Sequence, residues 1–263
     1  MTPLPETILQ FGSGRFLRAF ADLFIHHGNT QGQTVGRVVI VQSTGDGRAG
    51  GLNANAGKYH VVVRGFEAGH VVDRVEECAS VSRALHAGSQ WDEVLKLATS
   101  PHLTTILSNT TEAGFALDPA DSPADAVPKS FPAKLLAVLK ARFEAKLPAP
   151  TVIPCELIEG NAKILKDAVL KLADGWDYPD EFMGYLYRTP FLHTLVDRIV
   201  TGTPADHPLL ATDPMVIVAE PFAFWALEDH PRSKFTLQHP AITRTPTVEP
   251  YFLRKVRILN AAH

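Results

Sequence analysis

Thr7-Ile8-Leu9-Gln10-Phe11-Gly12-Ser13-Gly14-Arg15-Phe16-Leu17-Arg18-Ala19-Phe20 is the stretch on which the fold turns. Thr7 to Phe11 is a short apolar run that stops at Gly12-Ser13-Gly14, and Phe16, Leu17, Phe20, Leu23 and Phe24 follow at helical spacing. This reads as a strand, a glycine turn and a helix. Such a turn can offer backbone N–H groups and a helix dipole to a pyrophosphate, and glycine lets the phosphates approach closely. Phe11, Gly12, Gly14 and Phe16 are therefore the candidate cofactor contacts here. A third glycine belongs at position 17, where Leu17 stands, and a lone Gly-x-Gly is also a common turn.

Outward from the turn, strands and helices alternate as in a parallel sheet. Val35 to Val41 reads as a buried second strand, and the glycine-rich stretch from Gly45 to Gly57 reads as a loop. Gln42, Ser43 and Thr44 follow the second strand, with Asp46 slightly beyond as the candidate acid for an adenosine ribose. That favours NAD over NADP. Tyr59 to Arg64 and His70 to Glu76 form a hairpin inserted into the α/β order. Trp91–Ala98, Ala133–Ala145, Asn161–Ala173 and Phe191–Val200 are helical by pattern, while Thr104–Ser108, Thr151–Cys155 and Met215–Ala219 are strand-like. The expected fold is α/β, a Rossmann-like doubly wound, mostly parallel sheet over residues 1–245. A hinge-like stretch from Pro246 to Pro250 would lead into the start of a truncated helical domain at 246–263.

Composition narrows the function classes. The chain has 263 residues, 45% hydrophobic and 20% charged, enough for a large core in a globular protein without a membrane span. A net charge of −3 with scattered basic residues provides no electrostatic footprint for nucleic acid. The 2 cysteines, Cys78 and Cys155, give neither a disulfide framework nor a zinc spacing, which fits a reducing cytoplasm. No histidine spacing suggests a metal, and the side chains of His26 and His27 diverge on a helix. The expected partner is a small molecule.

Lys255-Val256-Arg257-Ile258-Leu259-Asn260-Ala261-Ala262-His263 holds the candidate chemistry. On a helix Lys255, Asn260 and His263 lie at roughly 0°, 140° and 80°, one broad face. A partly desolvated lysine can exchange a proton with a carbonyl or hydroxyl oxygen, and an Asn amide can steady that oxygen as charge builds. The same residues would also suit an ordinary surface helix.

Three further segments stand with these two. Ser108-Asn109-Thr110-Thr111-Glu112-Ala113-Gly114 follows a strand, Pro154-Cys155-Glu156-Leu157-Ile158 ends another, and Leu195-Val196-Asp197-Arg198-Ile199-Val200-Thr201-Gly202 ends a helix by pattern. With Phe11 to Phe20 at the start and Lys255 to His263 at the end, the chain resembles the mannitol dehydrogenase family of long-chain polyol dehydrogenases, in order and along essentially its whole length. Within that family it is most similar to the branch that reduces the keto-sugar acid D-tagaturonate to D-altronate with NAD and without a metal. The resemblance implies that Lys255 is the general acid/base, that Asn260 helps form an oxyanion site and that His263 orients the substrate. Asn109, Thr110 and Glu112 would lie toward the nicotinamide, or serve a turn or a helix cap.

One departure separates this chain from the polyol enzymes. They carry an Asn two residues after the strand-ending Cys, whereas Leu157 stands there. Asn161 and Asn109 are candidates for the missing donor, and equally for a helix cap or loop contact. Glu156 could face substrate or cap a helix, and Asp197 with Arg198 could be structural. Family members continue past the His into a mostly helical domain, so the chain reads as a truncated form whose own turnover would be impaired. The alternatives are a fructuronate reductase or mannitol 2-dehydrogenase, and a non-catalytic NAD-binding remnant.

Overall fold

In the computed structural model, residues 3–45 and 47–255 are described, Glu112 by its backbone alone. Asp46 and residues 256–263 lie outside the described residues. The elements in chain order are β1 (Glu6–Phe11), α1 (Arg15–Arg18), α2 (Ala21–Thr30), β2 (Arg37–Gln42), α3 (Arg48–Ala54), β3 (Tyr59–Glu67), β4 (His70–Cys78), β5 (Val81–His86), α4 (Trp91–Ala98) and β6 (Thr105–Ser108). They continue with α5 (Phe131–Glu144), β7 (Thr151–Pro154), α6 (Asn161–Gly175), α7 (Asp180–Arg188), β8 (Thr194–Asp197), β9 (Val200–Thr201), β10 (Ile217–Ala219), β11 (Phe224–Glu228), β12 (Ile242–Thr245) and α8 (Glu249–Arg254).

Two compact units share these elements. The first comprises Met1–Val94, Asp197–Ala223 and Thr236–His239. In it β2 pairs in parallel with β1 on one side, Phe11 against Val41, and with β5 on the other, Ile40 against Ala84. Val38 to Val41 are fully buried on both faces, as a continuous apolar run in a parallel sheet must be. Ile8, Leu9 and Phe11 of β1 and Leu23, Phe24 and Ile25 of α2 are buried as well. The inserted hairpin is present: β3 and β4 pair from Tyr59·Cys78 to Glu67·His70. Ala68 (φ 51°) and Gly69 (φ 83°) supply the two left-handed residues of its tight turn. The hairpin grows into a four-stranded sheet, because β10 adds in parallel to β3 and β9 in antiparallel to β10.

The second unit comprises Leu95–Val196, Phe224–Phe235 and Pro240–His263. β6 and β7 pair in parallel from Thr105·Thr151 to Ser108·Pro154. α5 begins where the Ser130 side chain accepts from the Ala133 N–H, with Pro132 in its first turn, and it buries Leu135, Leu136, Val138 and Leu139. α6 buries Leu165, Val169 and Leu172, and α7 opens on Pro179 with Asp180 and Glu181 in its first turn. β12, β11 and β8 form a separate sheet.

Two expectations are corrected. Within the supposed loop from Gly45 to Gly57, residues Arg48–Ala54 form α3. Gly47 enters it at φ 74°, the buried Gln42 side chain accepts from the Ala49 N–H at 2.7 Å, and Leu52 is buried. A cap supplied from β2 outweighs the low helix propensity of Gly50 and Gly51. Phe191–Val200 is not a helix but contains β8 and the start of β9. Asn161 and β11 fix that segment as extended, and no local pattern reports either. Asp197 and Arg198 therefore sit at a strand end.

Candidate functional site

The glycine turn belongs to the first unit. β1 delivers the chain to Gly12, whose φ of 119° is open only to glycine. Its N–H donates to the Val41 carbonyl at 3.1 Å and its carbonyl accepts from Gln10 Nε2 at 3.2 Å, so both backbone polar groups of Gly12 are held within the protein. Gly14 (φ −63°, ψ 168°) precedes α1, and a Cβ built there would meet no atom within 4 Å, so the turn is open on that side. The expected long helix is broken into the single turn α1 and then α2, the break falling at Ala19 and Phe20. Of the candidate contacts, Phe11 is fully buried, side chain and backbone alike. Phe16 is half-buried and stacks on Phe20 at 4.9 Å. Gln42 Nε2 donates to the Thr44 carbonyl, so the loop after β2 is tied down just before Asp46, which lies outside the described residues.

Behind this turn is a polar cluster in a dry core. Gln10, Arg18, Asp22 and Tyr59 are each at most 3% exposed. Gln10 Nε2 also donates to Asp22 Oδ2 at 3.3 Å, Tyr59 Oη shares its one hydrogen between the Arg18 carbonyl at 2.8 Å and, more weakly, Asp22 Oδ2 at 3.4 Å, and Arg18 donates to the Met215 carbonyl at 2.7 Å. Burial lifts the Asp22 carboxyl to about 7, against the pull of Gln10, Arg18 and Tyr59. Sequence reading missed this cluster. Its local signal was a glutamine among the buried residues of β1.

In the second unit, the ends of β6 and β7 are sewn together by Glu156. Its carboxylate, 2% exposed, accepts from the Thr110 N–H at 2.8 Å, from Thr110 Oγ1 at 3.0 Å and from Ser108 Oγ at 3.0 Å. Burial raises its pKa, while these donors work in the opposite direction. Asn109 Nδ2 donates to the Cys155 carbonyl at 2.6 Å. Thr111 takes a left-handed φ of 77° and leads into a 3-10 turn over Glu112–Phe115, where a Cβ on Gly114 would lie 2.1 Å from Thr110 Oγ1. The Glu112 side chain lies outside what is described.

Asn161 is wholly engaged in structure. Its Nδ2 donates to the carbonyls of Pro154, Glu156 and Thr194 at 3.3, 3.1 and 3.0 Å, and its Oδ1 accepts from the Ala162 and Thr194 N–H groups. It pins β7 to β8. Two residues along β8, the Val196 carbonyl accepts from Lys255 Nζ at 3.2 Å. Lys255 is half-buried at the end of α8, and Tyr251, a turn earlier in that helix, packs on Phe224 of β11 at 5.4 Å. Asn260 and His263 lie outside the described residues. In the first unit, Arg198 donates to the Glu220 and Ala19 carbonyls, a structural role. Leu157, where polyol enzymes have Asn, is 46% exposed.

The described residues hold no group of three or more His, Cys, Asp or Glu suited to a metal, and no described helix is long and apolar enough to cross a membrane. The family model of the mannitol dehydrogenase Rossmann domain matches residues 6–242. The chain is 38% identical to an altronate oxidoreductase of Halalkalibacterium halodurans, over 99% of this chain and 54% of that one. It is 36% identical to an altronate oxidoreductase of Bacillus subtilis, over 100% of this chain and 58% of the relative. The chain thus spans about half the length of the curated relatives it matches. Among solved structures, D-sorbitol dehydrogenase in substrate-free form superposes with a TM-score of 0.85 at 24% identity, covering 99% of this chain and 58% of that one. Pseudomonas fluorescens mannitol 2-dehydrogenase, solved with NAD and D-mannitol, superposes at 0.81 and 24% identity over 98% and 56%. Fold, motif order and relatives agree, and the chain belongs to the mannitol dehydrogenase family.

Proposed function

We propose that the chain is the NAD-binding part of an oxidoreductase that interconverts a keto-sugar acid and its hydroxy acid, D-tagaturonate and D-altronate in the first instance. The observation that carries this is the identity of 36–38% along the whole chain to altronate oxidoreductases. The exposed Leu157 in place of the polyol enzymes' Asn favours a sugar acid over mannitol. Residues 1–245 would bind the cofactor, with 246–263 leading into the substrate-covering part.

The glycine turn would hold NAD, whose nicotinamide would supply the hydride chemistry. Because the Gly12 N–H is committed to Val41, the backbone donors left for a pyrophosphate are those of Ser13 to Arg15. Gly14 allows the phosphates to come close. Asp46 is the proposed partner of the adenosine ribose, and Asn109, Thr110 and Glu112 are the proposed nicotinamide-side residues. Lys255 donates a proton to the ketone oxygen during reduction and withdraws it in the reverse direction. The Val196 carbonyl orients the Lys255 ammonium. Asn260 would steady the developing oxyanion and His263 would orient the substrate.

The test is a nicotinamide absorbance assay. With NADH and D-tagaturonate the band should fall, faster than with fructuronate, fructose or mannitol in the matching direction. NADH binding with no turnover on any of them would leave a non-catalytic binding module, and absence of binding by NADH and NADPH would overturn the reading.

A further inference from the structure

We propose that Asp22, acting through Gln10, is a positioning residue for the glycine turn: its carboxylate orients the Gln10 amide, and that amide holds the Gly12 carbonyl. The inference rests on the reading of this turn as the cofactor site.

The geometry is a direct chain. Gln10 Nε2 has two hydrogens, and its two acceptors are the Gly12 carbonyl at 3.2 Å and Asp22 Oδ2 at 3.3 Å. Tyr59 Oη steadies the same Asp22 oxygen from β3. Gly12 is the residue whose φ of 119° redirects the chain from β1 into the turn. A tilt of its peptide would move the donors of Ser13 and Gly14 that a pyrophosphate needs.

The surroundings argue against a purely structural role. Ile8, Leu9, Phe11, Leu23, Phe24 and Ile25 fill the same strand and helix with apolar side chains. Among the described residues, Asp22 Oδ1, Gln10 Oε1 and Arg18 Nε are buried without a hydrogen-bond partner. Apolar residues at these positions would pack without orphaned polar atoms, so packing alone does not account for the cluster.

The groups facing Asp22 are Gln10 from β1, Arg18 from α1, Tyr59 from β3 and Cys78 from β4. Burial raises Tyr59 well above its ordinary value and pushes Cys78 to about 11, and Arg18 keeps its guanidinium. Asp22 is the member of this group that titrates near neutrality. Its ionised form makes the stronger, charge-assisted bonds to Gln10 and Tyr59, so the turn is held best above that point.

The experiment is an NADH fluorescence titration of the parent chain, Asp22→Asn, Gln10→Leu and Tyr59→Phe from pH 6 to 9. The parent should bind several-fold more tightly at the alkaline end, with a midpoint near 7. Asp22→Asn should bind with its affinity independent of pH. Gln10→Leu should weaken NADH about tenfold through the lost bond to Gly12. Tyr59→Phe should shift the midpoint while leaving the chain folded, and it decides the matter if the Gln10 variant does not fold. A folded Gln10→Leu with parental affinity, or a pH profile unchanged in Asp22→Asn and Tyr59→Phe, would overturn the inference alone. A parent chain that bound no NADH at any pH would overturn the cofactor reading and this inference with it.

Discussion

Lys255 Nζ donates to the Val196 carbonyl at 3.2 Å, and Val196 lies two residues beyond Thr194, the β8 residue that Asn161 clamps to the end of β7. The candidate proton donor is thus oriented by a strand whose own place is fixed by a buried amide.

Lys255→Ala should lower NADH oxidation with D-tagaturonate by about 10²- to 10⁴-fold, the range for loss of a general acid. NADH affinity should change little. Equal losses in turnover and cofactor binding would instead indicate that the lysine supports the fold.

Asn161→Leu is a test of the clamp. It has similar bulk but leaves the Pro154, Glu156 and Thr194 carbonyls without their shared donor in a dry site. Urea unfolding should show a loss of about 3 kcal/mol or more. A loss below about 1 kcal/mol would mean the strands hold each other without it.

Glu156→Gln keeps one acceptor oxygen for Thr110 and Ser108, whereas Glu156→Ala strands three donors. The first should cost about 1 kcal/mol at neutral pH and the second about 3 kcal/mol. Gly114→Ala drives a methyl to 2.1 Å from Thr110 Oγ1 and should cost about 1–3 kcal/mol, read in the same unfolding assay.

Stability should depend on pH through groups that pull in opposite directions. Asp22 rises from 3.8 to about 7 on folding, so its contribution is fullest below 3.8, falls as pH climbs from there, and is gone once pH has passed through 7. Glu76 is lowered to about 2, first by its 2.7 Å bond to His27 and then by Arg74 despite burial, so its contribution is present above 4.5 and fades as pH falls toward 2. His239 is lowered to about 4, by burial and the neighbouring His27, and contributes above 6.5, fading as pH falls through 4. Between about pH 4 and 7 the Asp22 loss therefore opposes the His239 gain, and Asp22→Asn, which removes that loss, should make denaturant midpoints rise more steeply with pH across that window. A profile unchanged in that variant would show that Asp22 does not contribute to it.

Much of this was legible in local pattern. Val38 to Val41 announced a strand buried on both faces, Gly12-Ser13-Gly14 announced the turn after β1, and the separated apolar runs of β3 and β4 announced the hairpin. α3 was not legible, since its cap comes from Gln42 and not from its own glycine-rich residues. Nor was β8, whose extended form depends on Asn161, 33 residues away.

The sequence by itself determined the family, much of the order of the elements and the residue types of the candidate chemistry, because periodicity and motif spacing are properties of neighbours along the chain. Tertiary structure alone decided which polar groups were free for a ligand and which were already spent. It turned Asn161 and Arg198 into supports and Glu156 into the tie between two strands, and it joined Gln10 and Asp22 behind the turn. Hydrogen-bond partners far apart in sequence meet only once the core has closed, and burial then sets both their strength and their pKa.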